Sequence, residues 1–279
     1  MLSKSEFKKT LIKCGLKKND NVYVTTSLFS LGSPKVKNQK DYYLFFYNIL
    51  REVIGKKSTI IVDAFSTNVV RFGKIHKGKN NECTTGGFAK FLIGLNDTHI
   101  SDHPAHAVAA NGKYAKLICK KTSLNNYGVD SGLFNILKIN SKILRIGIDF
   151  TVSSIAHVAE SIVGVPYFYQ KIINIRVKKR DKIYKKIYTM FVRHLDLKTS
   201  YDSEKIKKKL IQKGYCKKIK INRGFVYCID TKKYFNYVKE GLKIDPHFLL
   251  SNYPKYKFGK IPFDGLSKNR DKIKNWKKN

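Results

Sequence analysis

No two cysteines in this chain are spaced C-x-x-C, and the five present, Cys14, Cys83, Cys119, Cys216 and Cys228, are scattered and odd in number. That pattern signals neither a disulfide framework nor a thiolate zinc site, and it fits a reducing compartment. No apolar run approaches the roughly 18 residues that a membrane-spanning helix needs, and the first residues lack the apolar core of a secretory signal. A soluble, cytoplasmic protein without a membrane span is expected. Acidic residues are scarce: 20 Asp and Glu stand against 56 Lys and Arg, a formal net charge of +36. A surplus of that size ordinarily points to nucleic acid or an anionic membrane surface. Lysine, asparagine, isoleucine and tyrosine are abundant together along the whole length, however, so a coding bias can inflate the lysine count without selection for phosphate binding. No helix-turn-helix, zinc-finger or RNP-type signature is present. Nucleic acid is therefore an unfavoured partner, and a basic nucleic-acid-binding module is kept only as the non-enzymatic alternative.

What is there suffices for a packed core: 42% of the 279 residues are hydrophobic and 13% aromatic. Ser3 or Ser5 can cap a first helix carrying Phe7, Leu11 and Ile12, with Gly15 placed to end it. A β-rich run from Asn21 to Leu28 follows, then a helix from Asp41 to Ile54 closed by Gly55 and a strand from Ser58 to Val62. The alternation continues with a helix after Gly87, a strand near Ala107 to Ala110, a helix from Tyr114 to Ile118, a strand from Lys142 to Ile148 and a helix from Ser153. Such alternation predicts an α/β fold, here an α/β sandwich with a mixed sheet flanked by helices. From Ile172 the pattern changes to a hairpin (172–177 and 182–192), two helices (203–213 and 231–242) and a strand (224–229). One compact unit over 1–279 is expected, with an α/β part at 1–166 and a smaller α+β C-terminal part at 167–279 packed on it. The lysine-rich tail from Ser267 to Asn279 is expected to fray.

Four segments carry groups suited to chemistry. Thr25, Thr26 and Ser27 sit where a strand hands over, and their hydroxyls can cap a helix, hold a ligand amide or donate to a thioester carbonyl. The glycines of Thr84-Thr85-Gly86-Gly87 would let backbone N–H groups approach a ligand, although a plain turn with a threonine cap has the same pattern. His157 and Glu160 lie three apart on a predicted helix and share a face. The helix is so apolar (Ile155, Ala156, Val158, Ala159) that it is expected to be buried, and a buried carboxylate needs a partner. His103 follows Ser101 and Asp102 at the entrance to a strand, a place equally suited to a structural hydrogen-bonder and to a base. A zinc site is the rival, but H-E-x-x-H is absent and no third ligand is evident beyond His103 or His106. A hydrolase would want a G-x-S-x-G elbow, which the chain does not have.

Taken in order, these segments resemble the aminoglycoside 3-N-acetyltransferases, the antibiotic acetyltransferase family. Family members read G-x-x-x-G-D-x-V-x-V-H-S-S-L-x-x-L-G near the start, and the run from Gly15 to Gly32 is similar. A threonine-glycine segment is matched by Thr84 to Phe88. R-S-x-H-P-x-x-S-x-A-A-x-G resembles Ile100 to Gly112, G-x-x-S-P-x-x-x-L resembles Gly128 to Ile136 and Leu137, and G-x-x-x-x-x-x-T-x-x-H-x-A-E resembles Gly147 to Glu160. The likeness covers roughly residues 5–170. Ile100 stands where the family has arginine, Ala107 where it has serine, Gly132 where it has proline and Ser154 where it has threonine.

The resemblance implies acyl transfer from acetyl-coenzyme A to an amine, without a metal. It places His103 as general base, Glu160 as its orienter and His157 as second in line for the base. Thr25, Thr26, Ser27, Thr84, Thr85 and Gly86 are then expected to hold the donor, and Asp102, His106 and Asp130 to meet the acceptor. No R-x-x-G-x-G/A pyrophosphate loop and no hexapeptide repeat points to another acyltransferase architecture. The basic surplus suits an anionic small-molecule acceptor, an amino sugar linked to a nucleotide or built into a glycan, better than a polycationic antibiotic, which is the alternative. A homodimer is compatible with all of this.

Overall fold

Ser3 Oγ accepts a hydrogen bond from the Glu6 N–H and so starts α1 (Lys4–Lys13), which buries Phe7 and Leu11 and stops before Gly15, a residue at φ +97°. The structure, a computed structural model, describes residues 2–256. After α1 the chain forms β1 (Asn21–Thr26), α2 (Gln39–Ile54), β2 (Ile60–Phe65), α3 (Thr67–Arg71), α4 (Gly87–Ile93), β3 (Thr98–Ile100), β4 (His106–Asn111), α5 (Ala115–Cys119) and α6 (Gly132–Asn135). It continues with β5 (Ser141–Ile146), α7 (Ser154–Val163), β6 (Phe168–Lys179), β7 (Lys182–Arg193), α8 (Ser203–Gln212), β8 (Cys216–Ile221), β9 (Gly224–Asp230) and α9 (Thr231–Ile244). Gly55, at φ +89°, closes α2 as its position predicts. The tail from Ser267 lies outside the described residues.

Seven strands form one mixed sheet in the order β3-β4-β2-β1-β5-β9-β8. Its centre is parallel, with β1 flanked by β2 and β5, and the outer pairs are antiparallel. Alternation along β1 sorts its side chains to two cores. Val22 and Val24 pack with Phe7, Phe46 and Leu92 under α1, α2 and α4, while Tyr23 packs with Ile155, Val158 and Val238 under α7 and α9. The result is the α/β sandwich with helices on both faces, and no helix among the described residues is long and apolar enough to cross a membrane.

The expected change at residue 166 is not a boundary in this sheet. Only β6 and β7 stand apart, as a two-stranded hairpin whose Ile173, Ile175, Tyr188 and Met190 pack on Val69, Val70 and Ala105. The chain then returns, and β8 and β9 extend the main sheet beyond β5. Strands β3 and β8 and helices α3 and α6 have no counterpart in the sequence reading. Of these, β8 is a sheet edge, and its exposed Lys217, Lys218 and Lys220 hide the strand pattern while protecting the edge from further pairing.

Because β1, β2 and β5 are parallel neighbours, Thr26, Phe65 and Ile146 end on the same side of the sheet. The chain leaves β1 to one side for β2 and later returns on the other side as β5, which opens a crevice at the carboxyl end of β1.

Candidate active site

The segment between β5 and α7 is held from below. Arg145, 3% exposed, donates to the Thr151 carbonyl (3.1 Å), the Thr151 hydroxyl (2.6 Å) and the Asp149 carbonyl (3.0 Å). Gly147 sits at φ +67°, and a Cβ there would lie 2.3 Å from the Ser27 carbonyl oxygen, so the ends of β1 and β5 can come together only at a glycine. Ser153 caps α7 through the Ile155 N–H and donates its own N–H to the Tyr234 hydroxyl (3.2 Å). Burying Ile155 and Val158 contributes about 1.5–3 kcal/mol each, which seats the helix that carries the chemistry.

On that helix His157 Nδ1 donates to Glu160 Oε2 at 2.6 Å. Glu160 is fully buried, and its carboxylate also accepts from the Tyr167 hydroxyl (2.7 Å to Oε1) and the Tyr201 hydroxyl (3.0 and 3.2 Å). Burial and the neighbouring carboxylate push both phenols well above their ordinary range, so they stay protonated donors. A carboxylate with three donors around it remains an acceptor and holds the imidazole in one tautomer. Nε2 of His157 is left with the lone pair. The ring is boxed by Tyr127, Phe168 and Tyr201, with centroids 5.1, 5.7 and 5.8 Å away. It faces a cavity of about 320 Å³ that His106, Arg71 and Arg193 also line.

Thr25, Thr26, Thr84, Thr85 and Gly86 line a second cavity of about 340 Å³ at the ends of β1 and β2, while Ser27 is exposed outside it. This cavity adjoins a larger hollow of about 710 Å³ through Thr84 and Gly86, with Lys40, Lys90, Tyr43 and Phe91 around it. Gly86 stands at φ +102° with nothing within 4 Å of a would-be Cβ, and Gly87 leaves no room for one against the Tyr43 hydroxyl. Asp63 lines the second cavity and accepts from Tyr23 (2.6 Å) and from Ser154 at the start of α7 (3.4 Å). Burial raises its carboxyl to about 6.

His103 is placed otherwise than the resemblance implies. It is 4% exposed, its Nδ1 accepts from the backbone N–H groups of Ala105 (3.2 Å) and His106 (3.0 Å), and its Nε2 donates to the Thr189 carbonyl (3.3 Å). Burial lowers its pKa to about 4. A ring with both nitrogens engaged has no lone pair for a substrate proton, and His103 is not among the residues lining the His157 cavity. Asp102 is likewise committed, to His76 (3.1 Å), Lys186 (2.7 Å) and Tyr188 (3.2 Å), and the first two hold its carboxyl well below the usual range. Asp130 pairs with Lys138 at 2.5 Å, on a loop outside the cavity. Of the residues expected to meet an acceptor, His106 alone lines the His157 cavity. Its Nδ1 accepts from Asn126 (3.0 Å), and burial pushes its imidazole well below the ordinary range. Tyr167, Tyr201, Asp63 and Asn126 were not singled out by the sequence: Tyr201, Asp63 and Asn126 reach the site from segments distant in the chain, and Tyr167 from just beyond the end of α7. Among the described residues no three His, Cys, Asp or Glu side chains form a group that could hold a metal ion.

The family model for aminoglycoside 3-N-acetyltransferase matches residues 24–243. No curated protein matches the chain. Among solved structures, the aminoglycoside acetyltransferase AAC(3)-Xa is similar with a TM-score of 0.76 at 14% identity, over 89% of this chain and 94% of that one. AAC-IIIb in binary complex with CoASH gives 0.74 at 16%, over 91% and 99%. The YokD protein from Bacillus subtilis gives 0.72 at 18%, over 87% and 94%. At these identities the structures show a shared fold, the mixed sheet with its flanking helices. The family match carries more, since it spans well over half of the residues, and this chain belongs to the aminoglycoside 3-N-acetyltransferase family.

Proposed function

We propose that this protein transfers an acetyl group from acetyl-coenzyme A to an amine of an amino sugar, with His157 as the general base. The observation that carries the reading is the pairing of the partly exposed His157 with the buried Glu160, which leaves His157 Nε2 free beside a cavity. An amine attacks a thioester only after giving up a proton, and an imidazole fixed in one tautomer can take it at near-neutral pH. Glu160 holds the ring and stabilises the imidazolium that forms, while Tyr167 and Tyr201 keep that carboxylate in place. This reverses the order in which the resemblance ranks the two histidines.

The residues at the carboxyl ends of β1 and β2 fit a coenzyme A donor. Among the described residues the hydroxyls of Thr25 and Thr26 and the ammonium groups of Lys40 and Lys90 make no hydrogen bond or ion pair, leaving the first two for amides and the last two for phosphates. When bound, acetyl-coenzyme A supplies the thioester carbonyl. Thr26 at the end of β1 is the nearest candidate for steadying that oxygen. Family membership supports an aminoglycoside amine as acceptor over the nucleotide-linked or glycan amino sugar expected from net charge. The test is release of free thiol from acetyl-coenzyme A with a panel of amino sugars and aminoglycosides, comparing wild type with His157→Ala. Thiol release by the wild type that the variant loses supports the reading; equal release by both removes His157 from the chemistry.

A further inference from the structure

We propose that Tyr127 is a further catalytic residue, whose hydroxyl donates a hydrogen bond to the oxyanion that forms from the thioester carbonyl. The proposal rests on the acetyl-transfer reading and deepens it. Tyr127 is 5% exposed and lines the His157 cavity. Among the described residues its hydroxyl makes no hydrogen bond, although a phenol so buried ordinarily finds a partner. The other phenols of this region are committed: Tyr167 and Tyr201 donate to Glu160, Tyr23 to Asp63 and Tyr188 to Asp102. Tyr42 also has an unpartnered hydroxyl, but it lies on α2 against Phe29, Tyr43 and Phe46 and does not line the His157 cavity. An unpartnered hydroxyl on the wall of a cavity, beside the base, is a donor available to what enters.

The segment that delivers Tyr127 is pinned. Asn125 Oδ1 accepts from the N–H groups of Tyr127 (3.0 Å) and Gly128 (2.9 Å), while Asn126 accepts from the Phe191 N–H (2.7 Å) and donates to the Phe191 carbonyl (3.2 Å). The ring lies between two imidazoles, stacked on His106 at 5.2 Å and tilted against His157 at 5.1 Å. Burial, with the carboxylates of Asp63 and Glu160 nearby, pushes the phenol well above its ordinary range, so it stays a neutral donor while His157 titrates. A donor fixed before the reaction costs no reorganisation when charge develops on its target. In the step assigned to it, the amine nitrogen bonds to the thioester carbon, the π pair of the carbonyl moves onto oxygen, and His157 Nε2 takes the amine proton. Tyr127 steadies that oxygen from the acceptor side and Thr26 from the donor side. The pair then returns to the carbonyl, the C–S bond breaks, and His157 gives its proton to the departing thiolate.

The experiment uses Tyr127→Phe, which deletes only the oxygen, with Tyr42→Phe as the control. Thiol release from acetyl-coenzyme A is measured with gentamicin, kanamycin and glucosamine as acceptors, the Kd for acetyl-coenzyme A by calorimetry and the fold by thermal melting. Tyr127→Phe is expected to lower kcat about 10²- to 10³-fold, the loss typical of one oxyanion donor, with KM and Kd nearly unchanged. Its melting temperature should not fall, because removing the hydroxyl leaves no buried group without a partner. The pH at which kcat declines on the acid side should stay where His157 sets it, whereas a role exerted through the orientation of His157 would move it. Tyr42→Phe should keep the activity of the wild type. A Tyr127→Phe enzyme with wild-type kcat, a loss confined to the KM of the acceptor, or a displaced acid limb overturns the proposal and leaves acetyl transfer standing. Absence of thiol release by the wild type with every acceptor removes the acetyl-transfer reading and the proposal with it.

Discussion

Replacing His103 by alanine should cost stability and spare the chemistry, and replacing His157 should do the reverse. In His103→Ala three backbone groups lose this partner together: the buried N–H of Ala105 and the half-buried N–H of His106 and carbonyl of Thr189. A buried polar group left unpaired costs about 1–3 kcal/mol, and water entering the vacated space recovers part of it, so a net loss of about 3–5 kcal/mol is expected. At roughly 2–4 °C per kcal/mol for a domain of this size, the melting temperature should fall by about 6–20 °C. A pH signature accompanies it. Burial lowers His103 from 6.5 to about 4, so the unfolded chain binds more protons than the folded one between those values. The contribution is fully present above pH 6.5 and is lost as the pH falls through 4, a span worth about 3 kcal/mol. The wild-type melting temperature should therefore drop more steeply over this window than that of His103→Ala. Measured at a temperature where both are folded, His103→Ala should keep kcat within a few-fold, while His157→Ala loses about 10²- to 10⁴-fold with little change in melting temperature. A His103→Ala protein that melts like wild type but is inactive, beside an active His157→Ala, would refute the reasoning.

Glu160→Gln keeps the volume and lets Tyr167 and Tyr201 go on donating to an oxygen, so kcat should fall about 10²- to 10⁴-fold with a change in melting temperature smaller than that of Glu160→Ala; steady-state kinetics and a thermal melt check both. Arg145→Met leaves the Thr151 and Asp149 carbonyls without their donor, and chemical denaturation should show a loss of about 2–4 kcal/mol. Asp63 has a folded pKa raised from 3.8 to about 6, so the folded state binds the extra proton: its stabilising contribution is present at low pH and is lost as the pH rises through 6. Asp63→Asn should consequently be more stable than wild type at pH 8 by about 2–3 kcal/mol and near equal at pH 4, and identical melts at pH 8 would show that the carboxylate is not strained by its surroundings.

The sheet and its flanking helices were legible where the signal is local. Ser3, Gly15 and Gly55 mark helix ends through one hydrogen bond or one positive φ, and the alternation of helix and strand from Asn21 to Ile148 gives the α/β class without any long-range knowledge. The return of the chain to the main sheet after the hairpin was not legible. Among the described residues strand β8 pairs on one side, with β9, so lysines occupy its exposed positions and the pattern reads as polar; the α+β reading of the C-terminal part follows from that loss of signal. Gly132 shows the same limit at the scale of one residue. It reads as a departure from the family, and only the fold shows that a Cβ there would stand 2.7 Å from both Ser101 Oγ and Val108 Cγ2.

The two histidines make the sharpest case. His103 beside Asp102 and His157 before Glu160 both pair an imidazole with a carboxylate within a few residues, and nothing in those spacings ranks one over the other. What separates them is the occupancy of the second ring nitrogen. For His103 it is filled by a carbonyl 86 positions later, on β7, and Asp102 is drawn off to His76 and Lys186. For Glu160 the reading from the sequence was better grounded, because a carboxylate on so apolar a helix must be buried and must therefore have partners. That argument requires partners without naming them. One is His157 on the same helix face; Tyr201 arrives 41 positions downstream, just before α8. Local chemistry in the sequence thus nominates the groups able to move a proton, and the packing of β7 and of the segment before α8 decides which of them still has a nitrogen free to do so.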